Sequence, residues 1–302
     1  MPGAALMAMI FARSRGSSGE CQVRPGSRMA ATTEGATIYT DTFAPSAHRH
    51  RLSRQKGSSM LRLVYRFALC GALAFQSAAV WAQASAATPA NAILVFGGSG
   101  QLGSEIVKSL VGTGKAVTVF VRPGSDTDRL SGMKINTIKG DVLKEDDVAA
   151  AFKSIPFSVA IDALARGDSG VEFYEISERY ISKWAKQTGV KQVILHSSVG
   201  AGKSQAIYPP AMWPRMKDTL QAKEAGENHL INSGVAYTII RNAQLPVATT
   251  PATGKAKLYD DETKYGAVTR ADLGQLTLSC VGNAACMNKI YHAVDETLPI
   301  RR

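Results

Sequence analysis

In the segment AILVFGGSGQLGSEIVKSL, Gly97, Gly100 and Gly103 stand at G-x-x-G-x-x-G spacing between a short apolar run and an amphipathic one. A strand that turns sharply into a helix leaves main-chain N–H groups without partners, and the helix dipole adds a partial positive charge at that point. Gly97 permits the turn, Gly100 lets the main chain approach a diphosphate, and Gly103 lets helix and strand pack closely. Ser99 and Gln101 add polar groups to the same turn. A glycine triplet alone is a weak signal; a strand before it and a helix after it give it weight. The expected ligand is a dinucleotide.

The end of the next apolar run refines this expectation. A carboxylate there would hold the ribose hydroxyls of NAD, whereas this chain has Val121-Arg122-Pro123. A guanidinium at that place suits a 2′-phosphate, so NADP(H) is expected ahead of NAD(H). Asp141, after the third run, is placed either at the adenine edge or as a cap for the following turn.

These residues need a scaffold, and the sequence from Ala92 onward supplies an alternating one. Strands are expected at Ala92 to Phe96, Ala116 to Val121, KINTIKGD, Phe157 to Leu164, KQVILHSS and AYTIIR, with a last one at KIYHAV. Helices are expected at QLGSEIVKSLV, Asp146 to Phe152, Val171 to Gln187, Leu220 to Ser233 and Arg270 to Cys280. Short apolar runs alternating with helical periodicity predict an α/β fold, a Rossmann-type doubly wound parallel sheet with a small C-terminal substrate region. Residues 203–215 and 242–268 are proline-containing and irregular, as segments that cover a substrate pocket are.

The first 84 residues differ in kind. They hold ten Lys/Arg against three Asp/Glu, so seven of the chain's eleven surplus positive charges lie there. The body is therefore only mildly basic, and no nucleic-acid partner is expected. Residues 1–59 lack periodicity and read as disordered, or as lying upstream of a true start at Met60. Residues 60–84 combine Arg62 and Arg66, an apolar run to Trp81 and a small-x-small end at Ala82-Gln83-Ala84, the pattern of a secretory signal peptide. Residues 85–302 then form the mature domain, exported to the periplasm and without a stable membrane anchor, with a cytoplasmic protein as the alternative. Cys280 and Cys286 in SCVGNAAC are either a small disulfide loop or two buried thiols.

Several segments in order resemble the atypical short-chain dehydrogenase/reductases, especially their NmrA-like NAD(P)H-binding branch. They are VFGGSGQLG, GVKQVILHSSVGAGKS, AKEAGENHLINSGVAYTIIR and VTRADLGQ. The resemblance implies an NADP(H) site at Gly97, Ser99, Gly100, Gln101, Leu102, Gly103 and Arg122, with Asp141, Ala163, Ser197 and Ser198 lining the same cleft. Many relatives pair a Tyr with a Lys four residues later; Lys223 matches the Lys, but Thr219 stands where the Tyr would be. An aliphatic alcohol is too weak an acid for that role. Ser198 and Tyr208 are the other candidates around a reacting carbonyl, while His196 reads as a core histidine. The implied activity is an NADP(H)-dependent reduction of a small carbonyl, quinone or flavin-like acceptor. The alternative is a non-catalytic NADP(H)-binding sensor or interaction protein. The oligomeric state is left open.

Overall fold

The structure, a computed structural model, describes residues 91–165, 167 and 169–300. The expectations for residues 1–59 and for the leader at 60–84 lie outside the described residues. No helix among the described residues is long and apolar enough to cross a membrane.

Eight strands form one sheet in the order β3-β2-β1-β4-β5-β6-β8-β7. They are β1 (Ile93–Phe96), β2 (Val117–Val121), β3 (Asn136–Lys139), β4 (Val159–Asp162), β5 (Gln192–Ser198), β6 (Tyr237–Asn242), β7 (Lys257–Tyr259) and β8 (Lys289–Val294). All neighbours run parallel except β7, which pairs antiparallel with β8 at the edge. Among the described residues five α-helices accompany them: α1 (Gln101–Val111), α2 (Glu145–Ser154), α3 (Phe173–Gln187), α4 (Trp213–Asn232) and α5 (Arg270–Cys280).

The apolar runs read as strands because the sheet is covered on both faces. Along β1, Ile93 and Val95 pack with Ile106, Val107 and Leu110 of α1 and Leu273 of α5. Leu94 and Phe96, pointing the other way, pack with Phe152 of α2, Ile181 of α3 and Leu230 near the end of α4. Alternate residues of one strand thus serve two cores, as a doubly wound sheet requires.

The structure extends the sequence reading at two places. Helix α4 starts at Trp213 rather than Leu220, about two turns earlier. Pro214 does not stop it, because proline in the first turn has no N–H to waste there. The segment before it is a short 3-10 helix, Gly202–Ile207. Strand β7 lies within the segment 242–268 that carried no strand signal, and its three residues gain their partners only from β8.

A buried ion pair sets the position of α4. The Arg241 guanidinium, on β6, donates from Nε and Nη2 to the two oxygens of Glu227 on α4 at 3.1 and 2.7 Å. Its Nη1 donates to Glu262 at 2.6 Å. Arg241 and Glu227 are both almost wholly buried. Beside the starts of β5 and β6, Cys280 and Cys286 form a disulfide closing a six-residue step, Cα atoms 5.5 Å apart.

Candidate functional site

A single cleft of about 980 Å³ runs along the C-terminal ends of the parallel strands. This is where an open α/β sheet leaves a crevice for ligands. Its nucleotide end is the turn between β1 and α1. Gly97 sits at φ +74°. A side chain there would be strained and would also meet the Ala163 carbonyl at 2.6 Å. A Cβ on Gly103 would lie 2.1 Å from the Gly97 oxygen. No side chain caps the start of α1 and no acidic residue stands in its first turn. The first N–H groups of the helix therefore face the cleft without a protein acceptor, which suits a diphosphate.

Gly97, Ser99, Gly100, Gln101, Leu102, Arg122, Asp141 and Ala163 all line this cleft. Arg122 is exposed at the end of β2, within reach of a ligand in the cleft. Asp141 does two things: it lines the cleft, and its Oδ1 accepts the Leu143 N–H at 3.0 Å, which orders the turn before α2. Gly103 is not part of the wall; it is buried against the Gly97 main chain and acts through packing. Gly98 has a role the spacing rule passed over. A Cβ there would meet Val119 of β2 at 2.5 Å, so the second glycine of the GG pair lets the turn close onto the sheet.

The other end is built from side chains. Ser198, at the tip of β5, and Lys223, on α4, both line the cleft, as do Thr219 and Tyr208. Ser197, expected beside Ser198, is instead 1% exposed and faces the opposite side of the sheet, toward α3 and α4. Adjacent strand residues alternate faces, so only one of the two serines can serve the cleft. His196 touches the cleft wall but is held by Asn242 at 3.1 Å and Thr277 at 2.9 Å. Burial lowers its pKa to about 4, so it is a neutral structural histidine. Tyr208 packs edge-on to Trp213 and Tyr265, with ring centroids 6.3 Å away in each case. Burial and the Tyr265 hydroxyl raise its pKa, which makes it a poorer acid than a free tyrosine.

Lys223 differs from these. It is half-buried, with its ammonium 4.3 Å from the centre of the Tyr174 ring. Burial lowers its pKa, and the carboxylates of Asp162 and Glu227 oppose that shift. An ammonium that gives up its proton more readily than a free lysine is a usable acid. Met212, Met216, Leu245 and Tyr265 add apolar surface to the cleft wall, which Arg215 and Arg270 also line. Arg270 also donates to the Pro246 carbonyl at 2.6 Å, which fixes the loop after β6.

Comparison with known proteins agrees with this geometry. The NAD(P)H-binding family model matches residues 97–284. A curated relative, sterol demethylase protein B of Methylococcus capsulatus, is 27% identical over 166 residues. That match covers 50% of this chain and spans about half of the relative, 51%. Among solved structures, ChuY, described as an anaerobilin reductase of Escherichia coli O157:H7, superposes with a TM-score of 0.62 at 22% identity, over 70% of this chain and 100% of that one. A short-chain dehydrogenase/reductase of Veillonella parvula in complex with NADP gives 0.56 at 15% identity, over 68% and 95%. A strand–glycine turn–helix cradle, the sheet order and a family match spanning most of the described residues lead to one assignment: the chain belongs to the NAD(P)H-binding family.

Proposed function

We propose that this protein is an NADP(H)-dependent reductase of a conjugated acceptor, a quinone, flavin-like ring or activated carbonyl. The observation that carries this reading is one continuous cleft that joins the glycine turn to an aromatic and methionine-lined wall and is also lined by Lys223 and Ser198. The bound cofactor supplies the hydride. The chain's own residues do the rest. The amides at the start of α1 hold the diphosphate, and Arg122 grips the 2′-phosphate. Ser198 orients the acceptor oxygen by donating its hydroxyl hydrogen, and Lys223 delivers the proton from Nζ. Tyr208, Met212 and Tyr265 exclude water from the reacting face.

A conjugated acceptor suits this proton donor. Charge that develops on a quinone or extended π system is spread over many atoms, so it asks less of the acid than an isolated ketone does. Arg215 and Arg270 favour an acceptor bearing an acidic group. The reductase description of ChuY and the demethylase description of the Methylococcus protein support redox chemistry. The Cys280–Cys286 disulfide supports an oxidising compartment for the domain.

Thr219 in place of a tyrosine favours a second reading, an NADP(H)-binding sensor without chemistry. Stopped-flow mixing of the NADPH-loaded protein with a panel of quinones separates the two. Oxidation at enzyme-like rates, lowered about 10²- to 10⁴-fold in Lys223→Met with NADPH affinity little changed, is expected for the reductase. Tight binding with no oxidation by wild type assigns the sensor.

A further inference from the structure

Behind Lys223, on the side away from the cleft, lies a second cavity of about 10 Å³. Asp162 from β4, Glu178 and Tyr174 from α3, Ser197 from β5, and Lys223 and Gly226 from α4 line it. Its polar lining is unusual. Neither carboxyl oxygen of Glu178 has a hydrogen-bond partner, although the residue is 0% exposed, and the Ser197 hydroxyl is likewise buried and unpartnered. Asp162 is 4% exposed; its Oδ1 accepts the Leu164 N–H at 2.7 Å, and its carboxyl lies within hydrogen-bonding reach of the Glu178 carboxyl once one of the two is protonated. The helices close tightly over the pocket: a Cβ on Gly226 would meet the Tyr174 carbonyl at 2.9 Å and the Glu178 Cβ at 3.3 Å.

Two carboxylates facing each other in a buried pocket do not both rest ionised at neutral pH; the doubly ionised pair is a high-energy state that readily takes up a proton. Burial, then the neighbouring Asp162, holds the Glu178 carboxyl well above its ordinary range, and burial raises Asp162 as well. The charged groups packed around the pair are few. Lys223 faces it from α4, while Glu227, one turn further along, is already engaged by Arg241. The cavity is of the size that takes one water molecule, for which about 10–15 Å³ suffices, and a water needs two to four polar partners. Glu178, Asp162, Ser197 and Lys223 supply them. Lys223 lines both this pocket and the cleft, as do Tyr174 and His196, and it is the one ammonium among them.

We infer that Glu178 and Asp162 share one proton in a water-holding pocket behind Lys223 and return it to the Lys223 amine after each reduction. The inference rests on the reductase reading. When the acceptor oxygen takes a proton from the Lys223 ammonium, an N–H bond breaks and a neutral amine remains. The pocket water passes a proton to that amine and takes one from the Glu178 carboxyl, so a carboxyl O–H bond breaks as the N–H bond re-forms. The pair, then doubly ionised, recovers its proton from solvent through the cleft after product leaves. Glu178 and Asp162 touch neither acceptor nor cofactor; they act through Lys223. The missing tyrosine at Thr219 is thereby compensated from behind the lysine rather than beside it.

Infrared spectroscopy of the nucleotide-free protein across pH, with Glu178→Gln and Asp162→Asn, tests the shared proton. The expected result is a protonated carboxyl band that persists at neutral pH in wild type and is lost or diminished in both variants. Absence of the band in wild type, or a band unchanged in both variants, overturns the inference. This readout needs no turnover, so its failure is distinct from failure of the reductase reading. The relay itself is read from buffer dependence. Glu178→Gln should lose about tenfold or more of its turnover at unchanged KM and regain it as imidazole buffer is raised, while wild type ignores the buffer. A variant that folds and stays slow without responding to buffer, or one that turns over like wild type, sinks the relay. Stability supplies a cross-check. Because the folded pair binds its proton more tightly than the unfolded chain does, wild-type stability falls as pH rises from the ordinary carboxylate range toward the raised folded value. Glu178→Gln should flatten that slope.

Discussion

At the nucleotide end of the cleft the wall is mostly main chain. Its centre is one contiguous stretch, the Gly97–Gly100 turn and the first turn of α1, with Arg122, Asp141 and Ala163 added from after the neighbouring strands. At the acceptor end the wall is drawn from β5, Tyr208 and Met212 before α4, α4 itself, the loop after β6 and Tyr265. The first end recognises what every dinucleotide shares, a diphosphate, and local geometry suffices for that. On the reductase reading the second must position an acid against its acceptor, and it depends on distant segments being held in register. The Arg241–Glu227–Glu262 network does that holding, tying β6 to α4 and to the segment before Tyr265. On that reading, binding and chemistry rest on different kinds of structure and should be separable.

The largest effect that would break this separation is expected at Arg241. Replacing it with Met leaves the Glu227 carboxylate buried and uncompensated, which should cost about 3–5 kcal/mol of stability, measured by urea denaturation. If the comparison holds, NADPH titration of the surviving folded fraction shows affinity close to wild type, while acceptor reduction collapses. Equal losses at both ends would mean that the two regions form one unit.

Arg122→Ala should act at the nucleotide end alone. Loss of a charge-assisted contact to the 2′-phosphate is expected to weaken NADPH binding by about 1.5–3 kcal/mol and leave NADH binding unchanged, as read by isothermal titration. An equal loss for both nucleotides would remove Arg122 from phosphate recognition. Gly103→Ala tests the packing beneath the turn. The added methyl must push against the Gly97 carbonyl, so a loss of about 1–3 kcal/mol in stability is expected, with a parallel drop in affinity for both nucleotides. Unchanged thermal unfolding and nucleotide titration would show that the turn has room the geometry denies.

The nucleotide end was legible because its signals are short-range. A strand, a glycine turn and a helix occupy Ile93–Val111, and the steric demand on Gly97 and Gly103 arises within that stretch and its immediate neighbour. The acceptor end was legible only in outline. Thr219 and Lys223 share a helix face and could be read together, but the early start of α4 at Trp213 hid behind Pro209, Pro210 and Pro214. Ser197 and Ser198 are adjacent and alike in sequence; strand alternation decides which one meets the cleft, and that assignment needs the strand's orientation in the sheet.

By itself the amino-acid order determined the alternation of strands and helices, the diphosphate turn and the absence of a tyrosine where Thr219 stands, because each depends on residues a few positions apart. Only the tertiary structure decided that Arg241 would neutralise Glu227, that Cys280 would bond Cys286, and that Glu178 and Asp162 would meet behind Lys223. Charge and burial are properties of a place rather than of a residue. That place exists only after four elements, far apart in the chain, have closed around it and shut it off from bulk solvent.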